Sequence, residues 1–246
     1  MMASPNLYQR LTAEWALLRH NRRNKSGVVS ADAQAFFVIE NVFAEDELQH
    51  LQTHLLAEAK AVVRSKVEWR RGGATGGHEL VHSQLWPSLK FLVGDDFQAR
   101  VQRATGIRTL QLVPKKDTNR LSLLDYRCEA DAAAGDGIDW HVDGSIYLGQ
   151  RWAGILTLFE ETAEDTAKLE LKPHGKLATL AKAKVLNSLV LFRGDHVEHR
   201  VRPMLPGEHR IVLSLLFSDW PVMTFNPSLL RYQARINQIF YGNSDL

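Results

Sequence analysis

Between Leu7 and Leu18, and again from Ala44 to Val63, apolar residues return every three or four positions, the spacing of a helix with one buried face. In the second stretch Leu48, Leu51, Leu55, Ala59 and Val62 make that face, and Glu45 and Asp46 put negative charge where a helix N-terminus favours it. Ala35 to Val42, just before it, reads as a strand. The run GGATGG follows, with Gly72, Gly73, Gly76 and Gly77 free to take backbone angles closed to other residues, and reads as a flexible loop. From Thr109 onward the pattern changes to short apolar runs parted by polar turns: TLQLV, RLSLLDY, AGILTLF, KLELK, VLNSLVLF, HRVRPM and RIVLSLLF. Strands at such short intervals, with almost no helix between them, predict an antiparallel sandwich or barrel. Leu229 to Phe240 is helical again in its spacing.

A chain of 246 residues with 45% hydrophobic and 24% charged positions has the makeup of a globular protein that buries one sizeable core. The expected layout is a single domain over residues 1–246. Residues 1–108 supply mostly helical support with one early strand, 109–220 the β core, and 221–246 a closing helical segment. A net charge of +2 is too small to imply nucleic acid, and the basic cluster from Arg19 to Lys25 reads as a solvated helix end. Cys128 is the only cysteine, which rules out an internal disulfide and a thiolate-rich zinc site. No signal-like or membrane-length apolar run is present, so the expectation is a cytoplasmic protein with no membrane partner and an open oligomeric state.

The segment GDGIDWHVDGS sets His141 and Asp143 two residues apart, which on an extended strand points both side chains to one face. An imidazole and a carboxylate suit ferrous iron, and one more histidine would complete a facial triad with open coordination positions. Downstream, VLNSLVLFRGDHVEHRVRPMLPGEHRIVLSLLF offers His196, His199 and His209 beside two strong strand signals. The DHVEH spacing would let either His196 or His199 reach inward. His209 alternates away from Arg210 and reads as structural, and His174 in LKPHGK as a loop residue.

HVD followed by HRVRPMLPGEHR resembles the iron(II)- and 2-oxoglutarate-dependent dioxygenase superfamily, in which a His-X-Asp pair, a distal histidine and a later basic residue occur in that order. The opening FFVIENVFAEDELQHL is similar to the strand and helix of its prolyl-hydroxylase-like members, so the resemblance runs from about Phe36 to Phe217. It implies a double-stranded β-helix, or jelly roll, with flanking helices, binding Fe(II), 2-oxoglutarate and O2. His141, Asp143 and His199 would be the metal ligands and catalytic residues; His199 fits the pattern better than His196. Arg210 would hold the distal carboxylate of 2-oxoglutarate through two parallel hydrogen bonds, with Ser214 on the same strand face and Tyr126 as further cosubstrate contacts. The chemistry implied is oxidation of a C–H bond, with release of succinate and CO2. Retention of a carboxylate at Asp143 favours hydroxylation, or another oxidation such as desaturation or ring closure, over halogenation.

The chain departs from the pattern in two places. AKLELK stands where members often carry a Gly-Gly, and Ile138 where some prolyl hydroxylases carry a tyrosine. These gaps bear against a protein prolyl hydroxylase and leave a small molecule as the expected substrate, such as a free amino acid. Arg64, Arg70, Arg71 and His78 around the glycine run would meet its acidic group if they are not simply solvated. Two rival readings remain. His78, Glu79 and His82 spell HELVH, the HExxH pattern of zinc peptidases, although a glycine run before it and Pro87 after it leave little helix. A jelly roll can also be a binding module without chemistry.

Overall fold

A computed structural model of the chain describes residues 6–23, 34–59, 62–132 and 135–242. In chain order the elements are α1 (Leu7–Arg23), β1 (Phe36–Ile39), α2 (Glu45–Ala59), β2 (Val63–Val67), β3 (Arg70–Thr75), α3 (Gly77–Leu80), α4 (Trp86–Leu89), α5 (Asp95–Thr105), β4 (Gln111–Leu112), β5 (Leu121–Arg127), β6 (Gly137–His141), β7 (Arg151–Glu161), β8 (Thr166–Lys172), β9 (Ala178–Ala181), α6 (Lys182–Val185), β10 (Leu189–Phe192), β11 (Glu198–Val201), β12 (His209–Ser218) and α7 (Pro227–Tyr241). Of the basic cluster Arg19–Lys25, residues 24 and 25 lie outside the described residues, as do residues 60 and 61 of the expected second helix. No helix among the described residues is long and apolar enough to cross a membrane.

The strands join antiparallel in the order β1-β10-β7-β12-β5-β3-β6-β11-β8-β9, with β2 added on β3 and β4 on β12. This curled sheet, with helices on its flank, is the jelly roll expected. Alternation along β12 shows how the sequence builds it. Ile211, Leu213, Leu215 and Phe217 face a cluster that includes Leu48, Leu51 and Leu55 of α2 and Phe97 and Val101 of α5. Arg210, Val212, Ser214 and Leu216 turn the other way, into the barrel. Because both faces are covered, the central strands read as nearly unbroken apolar runs. Each fully buried leucine in the helix-side cluster contributes roughly 1.5–3 kcal/mol.

Two expectations are corrected here. Gly72 and Gly73 are not in a loop but in β3, which pairs with β2 on one side and β5 on the other. A Cβ at Gly73 would stand 2.2 Å from Val62, and one at Gly72 would stand 3.1 Å from the Tyr126 ring, so glycine here admits close neighbours. Residues 1–108 accordingly hold β2 and β3 besides the one early strand foreseen. Within VLNSLVLF, only Leu189–Phe192 is strand; Val185 closes the short α6. The closing helix starts at Pro227, where the Asn226 side chain accepts from the backbone N–H of Ser228 (2.9 Å) and Leu229 (3.2 Å).

Candidate metal centre

His141 ends β6 and His199 lies in β11, and the two strands pair with these residues opposite each other. That register, invisible in the sequence, brings the rings to 4.2 Å between centroids. Each imidazole is anchored alike. His141 Nδ1–H donates to the Asp139 carbonyl at 2.7 Å, and His199 Nδ1–H donates to the Val197 carbonyl at 2.9 Å. A carbonyl can only accept, so the proton sits on Nδ1 and both Nε2 lone pairs are free. Asp143 Oδ1 stands 3.9 Å from each Nε2. These three residues are one of two groups among the described residues whose ligand atoms lie within 4.8 Å of one another.

Arg151, at the start of β7, holds the other carboxylate oxygen. Its Nε donates to Asp143 Oδ2 at 3.1 Å and its Nη1 to the Gly144 carbonyl at 3.0 Å. Burial pushes the Asp143 carboxyl up, but Arg151, His199 and His141 outweigh it and hold the group below the usual carboxylate range. Behind it the backbone closes tightly: the Asp143 N–H donates to the Gly194 carbonyl at 2.8 Å, and a Cβ at Gly194 would lie 2.4 Å from Asp143 Oδ2. Glycine at 194 is therefore part of the carboxylate's seat.

Burial, reinforced by His141, pushes His199 down to about 4, while Asp143 and the Val197 carbonyl pull the other way. The ring is thus neutral at pH 7, the form a metal needs. The folded value lies below the ordinary 6.5, so between pH 6.5 and about 4 the unfolded chain binds a proton that the folded chain refuses. Metal-free protein should accordingly lose thermal stability as pH falls from 6.5 towards 4, and His199→Gln should flatten that slope. Burial lowers His20 too, adding in the same direction, whereas Asp143 and Asp195, both depressed, lose their contribution only below 3.8.

From the triad a cavity of about 130 Å³ runs into the barrel, lined by Tyr126, Arg151, Arg210, Ser214, Gln233 and Tyr241 among others. Arg210 is fully buried on β12, opposite Tyr126 on one side and Glu160 on the other. Its Nε donates to Glu160 Oε2 at 2.9 Å and its Nη2 to Thr157 Oγ1 at 3.4 Å, while Nη1 has no partner. Glu160 therefore takes part of the fork expected to make two parallel hydrogen bonds to the cosubstrate, and one nitrogen remains for a ligand. Burial pushes the Tyr126 hydroxyl up, against the pull of Arg70 and Arg210, so it lines the same cavity as a neutral group.

His196 sits elsewhere, stacked on His20 of α1 at 4.8 Å between centroids. With Asp195 they form the second close group, but Arg193 fills it: its Nε donates to Asp195 Oδ1 at 3.0 Å and its Nη2 meets His196 Nδ1 at 2.8 Å. A guanidinium on those lone pairs opposes a cation. His209 turns from Arg210 to Asp125, 2.6 Å away, and His174 adopts a left-handed turn with φ 53°. In HELVH the helical turn α3 ends at Leu80, so His82 lies beyond it. Neither histidine of that segment joins a third His, Cys, Asp or Glu at ligand distance among the described residues. Arg64 is tied to Asp125 and Asp136, and Arg70 is buried against Ser65 and Phe240; with Arg71 and His78, none lines the cavity. Sequence reasoning missed Arg151, Gln233 and Tyr241. The α7 pair was legible only as helix, and Arg151 lay eight positions after Asp143 without a motif to mark it.

No protein-family model matches the sequence, and no curated protein matches it. Solved structures do match. A prolyl hydroxylase from Trichoplax adhaerens, in complex with a hypoxia inducible factor peptide fragment, superposes with a TM-score of 0.55 at 18% identity, covering 83% of this chain and 93% of its own. A Pseudomonas putida prolyl-4-hydroxylase gives 0.52 at 13% identity, covering 83% of this chain and 98% of its own. SnoN, described as a non-heme alpha ketoglutarate dependent epimerase from nogalamycin biosynthesis, gives 0.56 at 14% identity, covering 89% of each chain. Helix-backed antiparallel strands curled around an inward-facing cavity, in the same arrangement as these structures, make this chain a double-stranded β-helix protein of their fold.

Proposed function

We propose that this protein is an Fe(II)- and 2-oxoglutarate-dependent oxygenase that hydroxylates an unactivated C–H bond of a small molecule, releasing succinate and CO2. The observation that carries the reading is the geometry of three donors: Asp143 Oδ1 is 3.9 Å from two Nε2 atoms whose rings are locked in the free-lone-pair tautomer. Two imidazoles and one carboxylate on one side of a cavity are the donor set that ferrous iron takes with open positions. The unpartnered Nη1 of Arg210, a residue lining the same cavity, fits the distal carboxylate of 2-oxoglutarate.

When bound, iron would activate O2, the oxidant, which takes two electrons from 2-oxoglutarate as it becomes succinate and CO2 and two from the substrate C–H bond. The chain's own residues do the rest. His141, Asp143 and His199 would hold the metal. Arg151 occupies Asp143 Oδ2, so only Oδ1 points at the two histidines. Arg210 Nη1, the Tyr126 hydroxyl and Ser214 orient the cosubstrate, and the apolar lining of Ile155, Leu169, Val201 and Val212 excludes water around it. One structural neighbour is described as an epimerase, so the fold does not choose the fate of the carbon; the carboxylate at Asp143 favours hydroxylation, desaturation or ring closure over halogenation, and hydroxylation is the one proposed.

Anaerobic titration with Fe(II) and then 2-oxoglutarate tests the proposal. A weak visible charge-transfer band that needs both additions supports it, and a folded protein giving no band would favour the binding module instead. Arg151→Met should leave the three ligands in place yet weaken metal binding roughly 10- to 100-fold, as loss of a group that orients a ligand does. Arg151→Lys should recover part of that loss. Unchanged metal affinity in both variants would remove Arg151 from the site.

A further inference from the structure

We infer, on the oxygenase reading above, that the substrate is a neutral or cationic molecule with two or more rings, laid along α7 with one end over the triad, rather than a free amino acid. Outside the inner cavity the triad opens into a cleft of about 480 Å³, within the range of small-molecule sites. One wall is a stripe of α7: Tyr232, Ile236 and Phe240 recur every four residues and all face the cleft. Trp69, from the turn between β2 and β3, continues this wall, its ring 6.0 Å from that of Phe240. Tyr232 is 55% exposed and Trp69 37%, so these rings stand open to a ligand. The eight helical steps from Tyr232 to Phe240 make the stripe about 12 Å long. A free amino acid would cover only its end.

Charge narrows the class further. The cation lining the cleft is Arg151, whose Nε and Nη1 are spent on Asp143 and the Gly144 carbonyl. Arg70 lies 3.8 Å over the Phe240 ring but is buried behind it. The cleft's other ionic groups are His141, Asp143 and the rim carboxylate Glu198, which accepts from Lys172 Nζ at 2.9 Å. Lys172 and Arg200 already stand 3.8 Å and 4.6 Å over the ring of Trp140, which also lines the cleft, so the open aromatic surface belongs to the α7 side. Among these lining residues an anionic substrate meets one guanidinium, Arg151, with two of its three nitrogens already spent, and the Glu198 carboxylate to repel it. A flat, ring-bearing one finds four apolar side chains in line.

The test uses the full chain loaded with Zn(II) and 2-oxoglutarate, and reads the binding of 4-phenylphenol, 4-phenylbenzylamine, biphenyl-4-carboxylate and L-phenylalanine by ligand-observed NMR. The phenol and the amine should bind at least tenfold more tightly than the carboxylate or the amino acid. Trp69→Ala and Tyr232→Ala should each weaken them roughly three- to tenfold, the worth of one aromatic contact. Equal or tighter binding of the carboxylate or of L-phenylalanine overturns the inference, as does biphenyl binding that neither substitution changes. Ring binding lost while the Fe(II)–2-oxoglutarate band persists sinks the substrate class alone. A missing band with ring binding intact sinks the oxygenase reading alone.

Discussion

His199→Ala is expected to abolish stoichiometric Fe(II) binding and to reduce 2-oxoglutarate-dependent succinate release by on the order of a thousandfold or more. The lost ligand bond and the charge stabilisation it supports amount to several kcal/mol, and each 1.4 kcal/mol is about tenfold in rate. His141→Ala should behave alike, because the two rings face each other across β6 and β11 and each offers one Nε2 to the same point. The His199 ring also packs on Phe192 at 4.7 Å, so alanine leaves a gap there; His199→Gln, which refills it without an imidazole lone pair, separates folding from binding. His196→Ala should leave metal binding intact, since that ring is held by Arg193 and His20 away from the cavity. Metal binding that survives in His199→Ala and fails in His196→Ala would move the centre to the second cluster.

Arg210→Met should lower stability by about 3–5 kcal/mol, the cost of leaving a buried carboxylate without its partner. The Glu160 side chain is 0% exposed and would keep only the Lys168 N–H on Oε1, 2.8 Å away. For a chain of this length that loss is a fall of on the order of 10 °C in Tm. The double variant Arg210→Met/Glu160→Met should regain most of the stability, because replacing both members of a buried pair with apolar groups is often close to neutral. It should not regain cosubstrate binding. A charge-assisted hydrogen bond worth about 1.5–3 kcal/mol is gone in both variants, so the KM for 2-oxoglutarate should stay raised by roughly 10- to 100-fold. A double variant with native affinity for 2-oxoglutarate would assign the carboxylate to another group and leave Arg210 a structural role.

Much of the frame was legible because it follows from local spacing. The α2 face of Leu48, Leu51, Leu55 and Ala59 is read from period alone, and the structure buries all four. The strands of the β core stand out because Gly, Pro and polar turns punctuate them. The glycine run misled for a physical reason. Freedom of the backbone predicts a loop, but β2 and β5 supply hydrogen bonds on both sides, and the missing Cβ atoms are what let Val62 and Tyr126 approach. HELVH failed as a metal site for a similar reason: its pattern presumes two turns of helix, and α3 supplies one.

The sequence by itself determined the alternation that sorts each strand's side chains to the barrel or to the helices, the placing of His141 and Asp143 on one stretch of chain, and the shared face of Arg210 and Ser214. Each of these depends on torsional periods that act within a few residues. Tertiary structure alone decided which distant groups meet. Pairing of β6 with β11 put His199 beside His141, and the turn after β10 left His196 to Arg193. Register between β7 and β12 set Glu160 against Arg210, and the packing of α7 brought Tyr232, Ile236 and Phe240 to the mouth. A strand's partner and its register are chosen by burial summed over the whole sheet, where a slip of one residue would turn every inward side chain out, and no local spacing carries that sum.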